Sequence, residues 1–86
     1  ARAMLQLQAV DARLLEDQAA LAANTRALEL ALARFTAGAA DLQSVLLAED
    51  RLLASERAVA VDESRRIFLQ VALIRALGGG WTPPGP

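Results

Sequence analysis

A leucine recurs every seven residues through the first third of the chain, at Leu7, Leu14, Leu21 and Leu28, and Phe35 takes the next place. So long a column without a slip points to a coiled coil, because a hydrophobic repeat of seven stays in line only along the seam with a partner helix. Residues 2 to about 35 contain no Gly or Pro and few β-branched residues, so they read as one long helix. The half-heptad column, Val10, Asp17, Asn24 and Ala31, is mixed in polarity, which sets this helix apart from a plain leucine zipper. Ala19, Ala20, Ala22, Ala23, Ala27 and Ala33 cover much of the remaining surface, and small residues on several faces allow close approach of neighbouring helices on more than one side.

Thr36-Ala37-Gly38-Ala39-Ala40-Asp41 is the one interruption before residue 78. Gly38 can take the left-handed conformation that closes a helix, and Asp41 can cap the next, so a tight helix-to-helix turn is expected rather than one helix running through. From Asp41 to Leu77 the seven-residue columns return. Leu46, Leu53, Ala60, Ile67 and Ile74 form one; Val45, Leu52, Val59, Arg66 and Leu73 form the adjacent one; Leu42, Glu49, Glu56, Glu63 and Gln70 form a mostly acidic third. Folded antiparallel about a turn centred near Ala40, the first column pairs Phe35 with Leu46, Leu28 with Leu53, Leu14 with Ile67 and Leu7 with Ile74. The expected packing seam is therefore Leu7, Leu14, Leu21, Leu28 and Phe35 against Leu46, Leu53, Ala60, Ile67 and Ile74.

The fold expected is all-α: a long antiparallel two-helix coiled-coil hairpin, with helices over about 2–35 and 41–77 and arms of roughly 50 Å. Residues 1–77 make the hairpin, with its tip turn at 36–40. Residues 78–86, Gly78-Gly79-Gly80-Trp81-Thr82-Pro83-Pro84-Gly85-Pro86, read as an extended, irregular C-terminal tail. Two helices side by side bury one stripe each, and the doubled columns leave more apolar surface than a hairpin can cover. The hairpin is thus expected to pack into an oligomer or a larger helical barrel, and an isolated piece to dimerise as a four-helix bundle.

Composition removes several functional classes. With 20 alanines and 16 leucines among 86 residues and 3% aromatics, an all-β sandwich is disfavoured. An apolar content of 55% with a net charge of −1 lies far from intrinsic disorder. No Cys and no His leaves no disulfide, thiolate nucleophile or imidazole base, and no conventional zinc site. All 9 basic residues are Arg and 10 acids balance them evenly along the chain, so the basic surplus of a nucleic-acid binder is missing. No apolar run reaches the length of a transmembrane helix. The chain begins at Ala1 without a signal peptide, and it is expected to be a piece of something longer or a mature product.

No catalytic constellation emerges. The glycines at 78–80 follow a helix C-terminus, where the dipole repels anions, so they are not a phosphate loop. Glu49, Glu56 and Glu63 line one face, but a carboxylate di-metal bundle also needs Glu-x-x-His, and there is no His. They read as a solvated or salt-bridging face. Asp62 with Arg66, and Arg13 with Asp17, stand at i,i+4 spacing and read as ordinary helix-surface pairs. Ser44, Ser55 and Ser64 have no base near them in sequence. No enzyme activity, cofactor or metal is expected.

Two stretches resemble a known family. Arg34-Phe35-Thr36-Ala37-Gly38, followed by Asp41-Leu42, Val45-Leu46, Ala48 and Leu52-Leu53, looks like the periplasmic-tip segment of TolC-type outer-membrane efflux proteins. The ending Val71-Ala72-Leu73-Ile74-Arg75-Ala76-Leu77-Gly78-Gly79-Gly80-Trp81 is similar to the C-terminus of the NodT-like lipoprotein branch of RND efflux systems. Phe35 stands where the family usually has Tyr, Ile74 replaces a frequent Tyr, and Ser44 and Leu47 occupy positions where some members carry a ring of acids.

The resemblance implies a homotrimeric channel of the bacterial outer membrane, with this segment in the periplasmic part of its helical tunnel. It implies a tip of Thr36, Ala37, Gly38, Ala39, Ala40 and Asp41 that docks a periplasmic adaptor protein. The alternative expectation is a free-standing coiled-coil oligomerisation or scaffold hairpin without transport activity. A lipid-binding helix pair would need a broad apolar face edged by Arg or Lys, whereas columns repeating at seven favour protein partners.

Overall fold

The computed structural model describes residues 2–78, and these form two helices, α1 over Arg2–Thr36 and α2 over Leu42–Gly78. They fold back on each other as an antiparallel hairpin, and there is no strand among the described residues. The molecule is a rod of 65 × 27 × 14 Å, one helix thick. Both helices are long because Ala, Leu, Arg, Glu and Gln fill them and no Gly or Pro interrupts either interior. Thr25 and Thr36 satisfy their hydroxyls by donating to the carbonyls of Leu21 and Leu32, each at 2.8 Å, and so remain compatible with helix. The expected tail lies outside the described residues except for Gly78, the last helical residue of α2, and so does the Trp81 ending.

The turn closes α1 with a pair of nested hydrogen bonds. Ala39 N–H donates to Arg34 C=O at 2.8 Å and Gly38 N–H to Phe35 C=O at 3.0 Å, the Schellman arrangement. Gly38 sits at φ 76°, the left-handed region that an L side chain enters only with strain. Asp41 then caps α2: its Oδ1 accepts from the backbone N–H of Ser44 at 3.0 Å and from the Ser44 hydroxyl at 2.8 Å.

The interior is thin. Its buried apolar residues are Val10, Leu14, Val45, Ala48 and Leu69, with Ser55 and Asp62 buried among them. On α1 the leucine column faces inward as expected through Leu14, with Leu7, Leu21 and Leu28 half-buried, but Phe35 at its end is exposed. On α2 the expected seam is corrected. Leu46 is 51% exposed, and Leu53, Ala60, Ile67 and Ile74 are exposed with it. The inward column lies one residue earlier, at Val45, Leu52, Val59 and Leu73, together with Ala48, Ser55, Asp62 and Leu69.

The reason is the mixed column of α1. Asn24 has to hydrogen-bond across the interface, and only this rotation of α2 sets Ser55 opposite it; the same rotation brings Asp62 to Asp17. Turned to bury Leu46 and Leu53, α2 would place hydrocarbon against the Asn24 amide.

Two substitutions separate these faces. Val45 is 3% exposed, so Val45→Ala should destabilise the dilute hairpin by roughly 2 kcal/mol, whereas Leu46→Ala should change it by less than about 0.5 kcal/mol, as read by urea unfolding. A Cβ at Gly38 meets nothing within 4 Å, so Gly38→Ala should cost only the backbone strain, about 1 kcal/mol in the same assay.

Candidate functional site: the hairpin tip, the polar layers and the charged edges

Three features could carry function, and the turn is the first. Thr36, Ala37, Gly38, Ala39, Ala40 and Asp41 come together at the closed end of the rod. Thr36 through Ala39 and Asp41 are exposed, and Ala40 is half-buried against the helices. The Schellman bonds and the Asp41 cap hold this end rigid from both sides, so it presents a small, nearly side-chain-free surface of three alanines and a glycine. The two hydrogen bonds from Ser44 hold the Asp41 carboxyl below the usual aspartate range.

The second feature lies inside the seam. Val10, Asp17, Asn24 and Ala31 on α1 meet, in reverse order, Leu69, Asp62, Ser55 and Ala48 on α2. The Asn24 amide donates to the Ser55 hydroxyl and reaches the Arg51 carbonyl at 3.5 Å. One step further from the tip, Asp17 and Asp62 stand at the same layer of the seam and line one groove. Asp62 is 6% exposed, and its Oδ2 is buried with no donor. The contact with Asp17, then burial, then the charge of Asp17 push the Asp62 carboxyl up from the usual value, against the opposing pull of Arg13 and Arg65.

This corrects one sequence expectation. Asp62 is not a surface partner of Arg66 but a buried group facing α1. Arg66 instead reaches across to Asp11, Nε to Oδ1 at 2.9 Å, with both side chains about half exposed. Such an exposed pair adds little stability. Ser55 and Asp62 taken singly give no sign of the polar layers. The available signal was the mirrored order of polarity in the two inward columns, visible only when one is read backwards against the other.

The third feature is the distribution of charge. With the inward columns known, helical geometry puts Arg13, Arg34, Arg51 and Arg65 along one edge of the hairpin and Glu49, Glu56, Glu63 and the Asp11–Arg66 pair along the other. Arg13, Arg57 and Arg65 line one groove together with Asp17 and Asp62. Two apolar strips, Leu46, Leu53 and Ile67 on one side and Leu47, Val61 and Phe68 on the other, run along the outside of α2 beside the polar column Asp50, Arg57 and Ser64, and all six apolar residues are at least half exposed.

No described helix is long and apolar enough to cross a membrane. No group of three or more His, Cys, Asp or Glu among the described residues could hold a metal ion. Comparison with known proteins returns no match to a family model, to a curated protein or to a solved structure.

The sign of the Asp41 contribution follows from its lowered value. The cap stabilises fully above the ordinary value of 3.8 and loses its effect as pH falls through the lower folded-state value. Asp41→Ala should therefore lower the melting midpoint by a few degrees at neutral pH, and the difference from the parent should close in acid, as followed by circular dichroism.

Proposed function

We propose that this chain is a segment of the periplasmic α-helical tunnel of a trimeric outer-membrane efflux channel, with its hairpin tip docking a periplasmic adaptor protein. The observation that carries this reading is the two-sidedness of the hairpin. One edge carries Glu49, Glu56 and Glu63, with Asp11 paired there to Arg66, and the other carries Arg13, Arg34, Arg51 and Arg65. In a wall of parallel hairpins such a rod would meet a different neighbour along each edge, and two unlike edges suit contacts that repeat head to tail around a ring.

The apolar outward columns of α2 and the alanines of α1 supply further surfaces for neighbouring helices. Both exceed what one hairpin can cover. The rod shape suits a wall element, and the small, rigid tip suits a docking point that a partner helix pair can approach closely. The resemblance of residues 34–53 to the tip segment of TolC-type proteins points the same way. In this reading the segment has no catalytic task, and its place is the periplasmic side of the bacterial outer membrane.

The test starts from the coding frame upstream of Ala1. A signal peptide with a lipobox, two pairs of alternating-pattern strands and a second Gly-tipped hairpin are expected there. Because this chain has no cysteine, Glu49→Cys and Arg51→Cys in that longer product, each paired with a cysteine on the facing edge of the second hairpin, should form disulfides, one within and one between protomers, the latter giving a linked trimer in outer-membrane fractions. Ala39→Cys should cross-link to a periplasmic adaptor protein. A frame without those elements, or cross-linking confined to dimers in another compartment, would replace the efflux reading with a free-standing scaffold hairpin.

A further inference from the structure

The Asp17–Asp62 layer has no task in the wall or at the tip, and it is costly for two helices to bury. Two carboxylates facing each other at one layer of the seam, in one groove, repel when both are ionised, and neither can donate to the other unless one keeps its proton. The surroundings supply no other donor to the buried Asp62 Oδ2. From α1 the charged groups facing the pair are Asp17 itself and Arg13. From α2 they are Arg65 and Arg57, while Arg66 is turned away to Asp11. With guanidinium groups lining the same groove, a divalent cation between the carboxyls would face added positive charge. A proton fits between two oxygens without that cost.

We propose that Asp17 and Asp62 hold one proton between them in the folded hairpin, making the middle of the helical pair a pH-responsive clasp. With the proton in place, one carboxyl donates to the other and the helices close on each other. When the proton leaves to solvent, two like charges remain at the same height of the seam and push the helices apart there. The device belongs to the hairpin itself and does not depend on which assembly the hairpin enters.

The linkage runs opposite to that of the Asp41 cap. The folded chain keeps the Asp62 proton to a higher pH than the unfolded chain, whose ordinary value is 3.8. The stabilisation is full below that value and is lost as pH rises through the folded-state value. Asp62→Asn places an amide donor permanently where the proton would sit, and Asp17→Asn does the same from the other helix.

Thermal melts of the 86-residue chain and both variants, at one chain concentration between about pH 4 and about pH 8, test the clasp. Each variant should melt close to the parent in acid and several degrees above it at the alkaline end. The ¹³C carboxyl resonance of Asp62 should titrate above the ordinary aspartate range. A variant-minus-parent difference that stays constant or shrinks with rising pH would overturn the proposal, as would an Asp62 carboxyl that titrates at or below the ordinary value.

Discussion

The hairpin depends on polar groups meeting polar groups inside a seam that is otherwise hydrocarbon. An apolar contact is tolerant of rotation, because one leucine column is nearly as good as the next. The Asn24 amide is not tolerant, since buried without a partner it costs more than a misplaced methyl group. Opposite it, Ser55 accepts, and that single match sets the rotation of α2 and the height at which the helices pair. The Asp17–Asp62 contact follows at the next layer of the same kind, and Val10 with Leu69 and Ala31 with Ala48 complete the column. Specificity here is obtained from a few polar contacts at some expense of stability, the use best attested for polar residues in coiled coils.

The same rotation decides what the outside looks like. Since the Val45 column turns inward, the Leu46 column turns outward together with Val61 and Phe68. The charges are sorted as a consequence, Glu49, Glu56 and Glu63 with the Asp11–Arg66 pair to one edge and Arg13, Arg34, Arg51 and Arg65 to the other. A two-helix rod with few buried apolar side chains is a poor independent unit, and its outward faces are those of an element meant to stand among others. That is the physical content of the channel-wall proposal. The tip adds a rigid, small-residue end whose backbone groups are already satisfied by the Schellman bonds and the Asp41 cap.

Much of this was legible in the chain. The helices follow from the absence of breakers, the turn from Gly38 with Asp41 after it, and the inward face of α1 from Leu7, Leu14, Leu21 and Leu28. The seam of α2 is not legible from hydrophobicity, because Leu46, Leu53, Ala60, Ile67 and Ile74 form the more uniformly apolar column, and hydrophobicity alone selects it. The winning column contains Arg66, and its neighbour contains Ser55 and Asp62, which no rule about greasy seams would choose. Pairing the two mixed columns head to tail would have found it. The isolated reading of Asp62 with Arg66 as a surface pair hid that option.

Length, alanine and leucine content, and one well-placed glycine determined by themselves that the chain is two long helices joined by a tight turn. Those are local matters, set by propensity, capping and backbone sterics within a few residues. Which side of α2 faces α1 was decided only in the folded hairpin. That choice rests on contacts between residues some thirty positions apart, whose energies exist only once both helices are formed and side by side. The facing carboxyls are the clearest product of that step. Asp17 and Asp62 are ordinary acids along the chain, and they come to share one layer of the seam only because the register that joins Asn24 to Ser55 sets them opposite each other.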